Sequence, residues 1–260
     1  MPRAKREKSE TGFYHAVSKG DGGRVIFECD QNRSNYLKLL DQAVDEHDVR
    51  LHGYCLMGNH VHLLVQEQRD SLSDFMKQLN ESYARYFAWF TGRVGHVFQG
   101  RFWSEPVDTD ERLLATLRYI HANPEPAGIC RCEDYPWSSY HAYIAASGGI
   151  DVSEPPHVET GLVLSLLGGA EPFVEFSRSG GSRPRPFPES KLKGHLSVDE
   201  LANVAISLLG RDAINGLPTM RPDERAAYLI RLSQAGFRCN EIARVTGVGQ
   251  ASVSRLLGAQ

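Results

Sequence analysis

The chain has 260 residues, 41% of them hydrophobic and 23% charged, the balance of a globular protein with room for one large domain or two smaller ones. No apolar run approaches the roughly 20 residues that span a bilayer, and the basic start MPRAKREKSE lacks the apolar stretch of a secretory signal, so residues 1–10 read as a solvated tail, with a basic arm for phosphate as the alternative. Net charge is −3, which does not advertise a nucleic-acid partner, yet residues 191–260 hold 9 Lys/Arg against 6 Asp/Glu while the rest is acidic.

Cys29, Cys55, Cys130, Cys132 and Cys239 fit neither a zinc knuckle nor a disulfide framework, and a reduced, cytoplasmic protein is the simplest expectation. In chain order, FYHAVS (13–18) reads as a strand, followed by the glycine-rich loop KGDGGR, which lacks the Gly-Lys-Ser/Thr ending of a P-loop. Apolar positions Tyr36, Leu37, Leu40, Ala43 and Val44 recur at helical spacing from Asp30 to His47. VRLHGYCLM and HVHLLVQ are two strands joined across Gly58-Asn59, a dipeptide suited to positive φ in a tight turn. A helix follows from Ser71 to Phe90, with Ser71 as N-cap and Asp74 completing an acidic capping box. GHVFQGRFWSEPV is extended or loop, and a third helix from Asp110 to His121 ends before Asn123-Pro124.

The order β-α-β-β-α-β predicts an α+β, ferredoxin-like antiparallel sheet with helices on one face and the other face free for a substrate, over residues 11–147. Residues 148–190 read as a Gly/Pro/Ser-rich linker with short helices at about 161–168 and 171–178. Residues 191–260 form an all-α domain, with helix starts at Ser197 and Pro222.

Strand alternation places His60 and His62 on one face, two imidazoles converging above a sheet. Tyr119 and Asn123, four apart on the third helix, share a face that can be brought to the same spot. Two imidazoles and one oxygen ligand leave positions open on a divalent ion for a phosphate, and the phenol could then act as a nucleophile. By periodicity alone Tyr119 is equally a core aromatic, Tyr83 and Tyr86 are comparable candidates, and Asn123 is equally a helix C-cap.

Five segments appear in one order: YHAVSKGDGGRVIF, GYCLMGNHVHLLV, GHVFQGRFW, RYIHANPEPAG and DYPWSSYHAY. Together, over about residues 10–180, they resemble single-tyrosine HUH transposases, most closely the branch associated with repetitive extragenic palindromes. The resemblance implies a ferredoxin-like nuclease fold, Mg²⁺ or Mn²⁺ as cofactor, and cleavage of single-stranded DNA near hairpins or palindromes. By position it implies His60, His62 and Asn123 as metal ligands and Tyr119 as nucleophile. Lys19 and Arg101 are candidate phosphate contacts, and Phe102, Trp103 and Trp137 are either base-stacking surfaces or core. Glu125, Pro126 and Ser104 depart from the basic residues common among such relatives.

CNEIARVTGVGQASVSRLL (239–257) fits a helix-turn-helix: Ala243 is small at the crossing, Gly247 turns the chain, and Val253 and Leu256 point inward. Gln250, Ser252, Ser254 and Arg255 would face duplex DNA. Rival readings are a DNA-binding repressor without chemistry, a replication-initiator-type nuclease, and a hydrolase that does not form a covalent intermediate.

Overall fold

The computed structural model describes residues 6–148, 156–179 and 202–257, the last without positions 203, 204, 207, 236 and 238. Its first part runs β1 (Phe13–Lys19), α1 (Asp30–His47), β2 (Val49–Met57), β3 (His60–Glu67), α2 (Leu72–Thr91), β4 (Trp103–Pro106), α3 (Asp110–His121) and α4 (Tyr140–Gly148). The strands pair in the order β2-β3-β1-β4, antiparallel throughout, which is the expected ferredoxin-like sheet.

A bulge in β2 decides which side chains point where. Leu51 pairs with Val65 and Gly53 with Leu64, so His52 is the extra residue. Leu51, Tyr54 and Leu56 can therefore all reach the face under α1 and α2. There they join Tyr14 and Ala16 of β1, Val61, Leu63 and Val65 of β3, and Tyr36, Leu40, Phe75, Leu79 and Tyr83 of the helices. This is the amphipathic core that the sequence pattern calls for.

The second face of the sheet is not free, contrary to expectation. It presents Phe13, Leu64, Cys55 and Met57, and leaving these wet would forfeit roughly 1.5–3 kcal/mol for each large apolar side chain. Leu113, Leu117 and Ile120 of α3 cover them, together with Tyr140 and Tyr143 of α4. Gly53 permits the close approach, since a Cβ there would lie 2.5 Å from Leu117 Cδ1. Two further helices, α5 (Gly161–Leu167) and α6 (Ala170–Arg178), add buried Val163 and Phe173 to this second core. The segment read as linker thus packs, in residues 161–178, as part of the first unit.

Three local expectations change as well. Neither Gly58 nor Asn59 takes positive φ. Their turn is shaped instead by the preceding loop, whose Ile26 and Phe27 N–H groups donate to Gly58 O at 2.9 and 3.1 Å. Ser71 makes no capping hydrogen bond with its side chain, and the Leu72 N–H donates to the Glu67 carboxylate at 2.7 Å. Of the basic tail, Arg6 is docked rather than solvated: it donates to Ser73 Oγ at 2.7 Å and stacks 3.6 Å above the Phe102 ring centroid.

The C-terminal helices are α7 (Arg211–Gly216), α8 (Pro222–Gln234), α9 (Cys239–Thr246) and α10 (Gln250–Leu257), around a core that includes Ile214, Leu229, Leu232, Phe237, Ile242 and Val253. Pro222 opens α8 as expected, because its missing N–H is one the first turn would leave unbonded anyway. The expected start at Ser197 lies outside the described residues. No helix among the described residues is long and apolar enough to cross a membrane.

Candidate active site

The site is built on the α3-facing side of the two central strands. In β1 that face carries Phe13, His15, Val17 and Lys19; in β3 it carries His60, His62 and Leu64. Antiparallel pairing sets Lys19 opposite His60 and Val17 opposite His62, with His15 one step diagonal to His62. The His60 and His62 rings are perpendicular, their centroids 4.9 Å apart.

Each of these two rings has its Nδ1 engaged. His60 Nδ1 lies 2.7 Å from Asn59 Oδ1. The Asn59 amide is oriented by its other end, where Nδ2 donates to Gly23 O at 3.1 Å. Gly22 and Gly23 take φ of 61° and 81°, a conformation that suits glycine, to turn that carbonyl toward Asn59. An amide oxygen only accepts, so His60 carries its hydrogen on Nδ1 and its Nε2 lone pair is left as the ligand atom. His62 Nδ1 meets His15 Nε2 at 2.9 Å.

Burial keeps the rings neutral. His15 is 0% and His62 1% exposed, while His60 keeps a half-buried edge toward solvent. Burial pushes His15 down to about 3, and burial, with a smaller contribution from the Lys19 ammonium, pushes His60 down to about 3. His62 is pushed well below its usual range by burial first and by the neighbouring imidazoles second. Neutral imidazole is the form that ligates, so protons do not compete for these nitrogens near pH 7.

The same shifts make the fold acid-sensitive. An unfolded histidine takes up its proton near pH 6.5, whereas the buried rings resist until near pH 3. The unfolded state therefore binds more protons between those values, and stability is fully present above pH 6.5 and drains as pH falls toward 3. His121, likewise lowered by burial to about 3 and held 2.7 Å from Ser139 Oγ, adds to the effect. Thermal melts from pH 7 to pH 4 should show a steadily falling Tm; a flat profile would show that these rings are not buried neutral.

Tyr119 of α3 closes the site. Its ring stands edge-on to His62, centroids 5.6 Å apart, and to His15 at 5.9 Å. The other two tyrosines considered lie elsewhere. Tyr83 is fully buried in the α1/α2 core with its hydroxyl donating to Ile26 O, and Tyr86 OH pairs with Asn32 Nδ2 at 3.3 Å. The structure thus brings His60, His62 and Tyr119 together.

Asn123 sits at the end of α3, where Nδ2 donates to Tyr119 O at 2.9 Å and Ile120 O at 3.4 Å. These bonds use the amide nitrogen and not the amide oxygen. Among the described residues no three His, Cys, Asp or Glu side chains gather as a ready metal centre. By chemical type, imidazole nitrogens such as those of His60 and His62 and an amide oxygen such as that of Asn123 are donors a divalent ion accepts.

Of the candidate phosphate contacts, Lys19 borders the histidines, with its ammonium disfavoured by burial. Arg101 is exposed and near enough to Arg6 to depress its ionisation, after burial, so the two form one basic patch. Phe102 is covered by Arg6, Trp103 packs edge-on against His15 at 5.5 Å, and Trp137 lies under Arg33. On α10, Gln250, Ser254 and Arg255 are exposed and Ser252 is half-buried, while Val253 is buried beneath them. Sequence reasoning missed His15 and the role of Asn59. His15 was visible as the polar member of the Phe13-His15-Val17 face, but only strand pairing reveals what it opposes.

Residues 11–123 match the family described as Transposase IS200 like. Among solved structures the chain is similar to a REP-associated tyrosine transposase bound to a REP hairpin, at 16% identity and a TM-score of 0.49, over 61% of this chain and 99% of that one. It is also similar to a candidate transposase from Deinococcus radiodurans R1, at 17% identity and a TM-score of 0.34, over 43% of this chain and 90% of that one. No curated protein matches the sequence significantly.

Proposed function

We propose that this transposase cuts single-stranded DNA beside a hairpin, holds one end covalently on Tyr119, and passes it to a new strand. The observation that carries the reading is the Tyr119 ring set 5.6 Å from His62. His60 and His62 would hold Mg²⁺ or Mn²⁺ through Nε2, with the Asn123 amide oxygen as third ligand. When bound, the ion would draw charge from the scissile phosphate and favour phenolate at Tyr119.

The residues then divide the work. The Tyr119 oxygen attacks phosphorus, the bond from phosphorus to the leaving oxygen breaks, and that oxygen takes up a proton. A hydroxyl of the incoming strand reverses the step and frees the tyrosine. Lys19 and Arg101 would hold phosphates on either side, and the packed second core keeps Tyr119 in register with the histidines. Hairpin DNA as the substrate follows from the five ordered segments shared with the palindrome-associated transposases. Five free cysteines support a reducing, cytoplasmic setting for such an enzyme. End-labelled hairpin DNA incubated with the protein and Mn²⁺ should yield a slow band on a denaturing gel; cutting without that band would favour hydrolysis, and binding without cutting a repressor.

The α9–α10 pair is proposed as a helix-turn-helix for duplex DNA, read by Gln250, Ser252, Ser254 and Arg255. Deleting residues 191–260 should weaken duplex binding roughly 10- to 100-fold, the scale of one or two lost base-edge contacts. Metal-dependent cutting of a hairpin should survive. A truncated protein that melts cooperatively but cannot cut would show that the two functions are divided wrongly.

A further inference from the structure

His15 takes no part in the proposed chemistry, yet its position demands a reason. It is 0% exposed in a row with Phe13 and Val17, and its Nδ1 has no hydrogen-bond partner among the described residues. A buried polar atom left unpaired costs roughly 1–3 kcal/mol, and an aliphatic side chain would fill the place without it. The side-chain hydrogen bond of His15 is between its Nε2 and His62 Nδ1, at 2.9 Å.

Two neutral imidazoles at that distance share one hydrogen, and only two arrangements exist. If His15 Nε2–H donates, His62 Nδ1 accepts, and the His62 hydrogen then sits on Nε2, where it blocks a metal. If His62 Nδ1–H donates, its Nε2 carries a lone pair in place of a hydrogen and His15 carries its hydrogen on the unpartnered Nδ1. Passing from the first to the second, the shared hydrogen changes rings, His62 Nε2 loses a proton and His15 Nδ1 gains one, so none is taken up overall.

We propose that His15 is a positioning residue: its Nε2 accepts the His62 Nδ1–H and thereby fixes His62 with Nε2 toward the metal. The inference rests on the metal reading of His60 and His62. It gives His15 the role that Asn59 plays for His60, so each of the two rings is oriented from behind by an acceptor, one from the preceding residue and one from the neighbouring strand.

The test pairs calorimetry with NMR. Mn²⁺ should bind His15→Leu about 10- to 100-fold more weakly than wild type, the usual loss when a ligand's orienting partner is removed. His15→Gln, whose amide oxygen can accept from Nδ1–H, should recover most of that loss. In ¹⁵N-histidine-labelled wild type loaded with Mg²⁺, the His62 signal should carry its hydrogen on Nδ1, a signature that packing alone would not set. The NMR measurement decides even if His15→Leu does not fold. Unchanged affinity in a folded His15→Leu protein, or a bare His62 Nδ1 in the loaded wild type, would overturn the proposal. Should His60→Ala also bind Mn²⁺ as wild type does, the metal reading itself falls, and this inference with it.

Discussion

Tyr119→Phe should give a folded protein that binds hairpin DNA and forms no covalent adduct with it. The argument is one of packing against chemistry. The Tyr119 ring contributes edge-on contacts to His15 and His62 and packs against the second core, and phenylalanine keeps that ring. It removes the only atom that can bond to phosphorus. Loss of a nucleophile is a loss of transition-state chemistry rather than of ground-state binding, so the rate should fall by on the order of 10⁴ or more while DNA affinity stays within a few-fold. On a denaturing gel the slow protein–DNA band of wild type should vanish. Tyr83→Phe and Tyr86→Phe serve as controls, because both hydroxyls lie under α1 and α2, on the far side of the sheet from His62. A band that persists in Tyr119→Phe but disappears in either control would move the nucleophile and dissolve the site as described.

How much of this was legible before the coordinates differs from element to element. The helices at 30–47 and 110–121 and the strands around His60 were readable to within a residue or so, because apolar spacing of 3.6 or 2 is a local signal. The shared face of His60 and His62 was readable for the same reason. Tyr119 was not separable from Tyr83 or Tyr86 by periodicity, since all three tyrosines lie on amphipathic helices; the side of the sheet each helix covers is a tertiary fact. The burial of the second sheet face was also hidden. Its covering residues, Leu117, Tyr143 and Phe173, come from segments 26 to 30 residues apart, and no local pattern joins them. Turn chemistry misled in the opposite direction: Gly58-Asn59 carries a local signal for positive φ, and hydrogen bonds from Ile26 and Phe27 overrode it. His15 was the residue least visible of all, because a lone histidine in a strand acquires meaning only from the strand beside it.

The second large effect belongs to the imidazoles. His60→Ala should weaken Mn²⁺ binding by about 100-fold or more and slow cleavage by about 10³, since the proposed site would lose one of its two nitrogen ligands and several kcal/mol of charge stabilisation with it. His60 is the cleaner site for the experiment. It is half-buried, and its removal frees an Asn59 oxygen that can turn to water, so the melting temperature should change little. His62→Ala should abolish the same activities at a further cost to the fold. It opens a cavity at a position 1% exposed and strands His15 Nε2 without its 2.9 Å partner, and an unpaired buried group alone costs roughly 1–3 kcal/mol. The two variants should therefore look alike by calorimetry and cleavage and differ in thermal melts, with His62→Ala the less stable. If both bind Mn²⁺ with wild-type affinity, the paired histidines are structural, and strand cleavage must draw its charge stabilisation from other groups instead. Equal melting temperatures with metal binding lost in both would leave the ligands in place but contradict the burial of the His15–His62 pair.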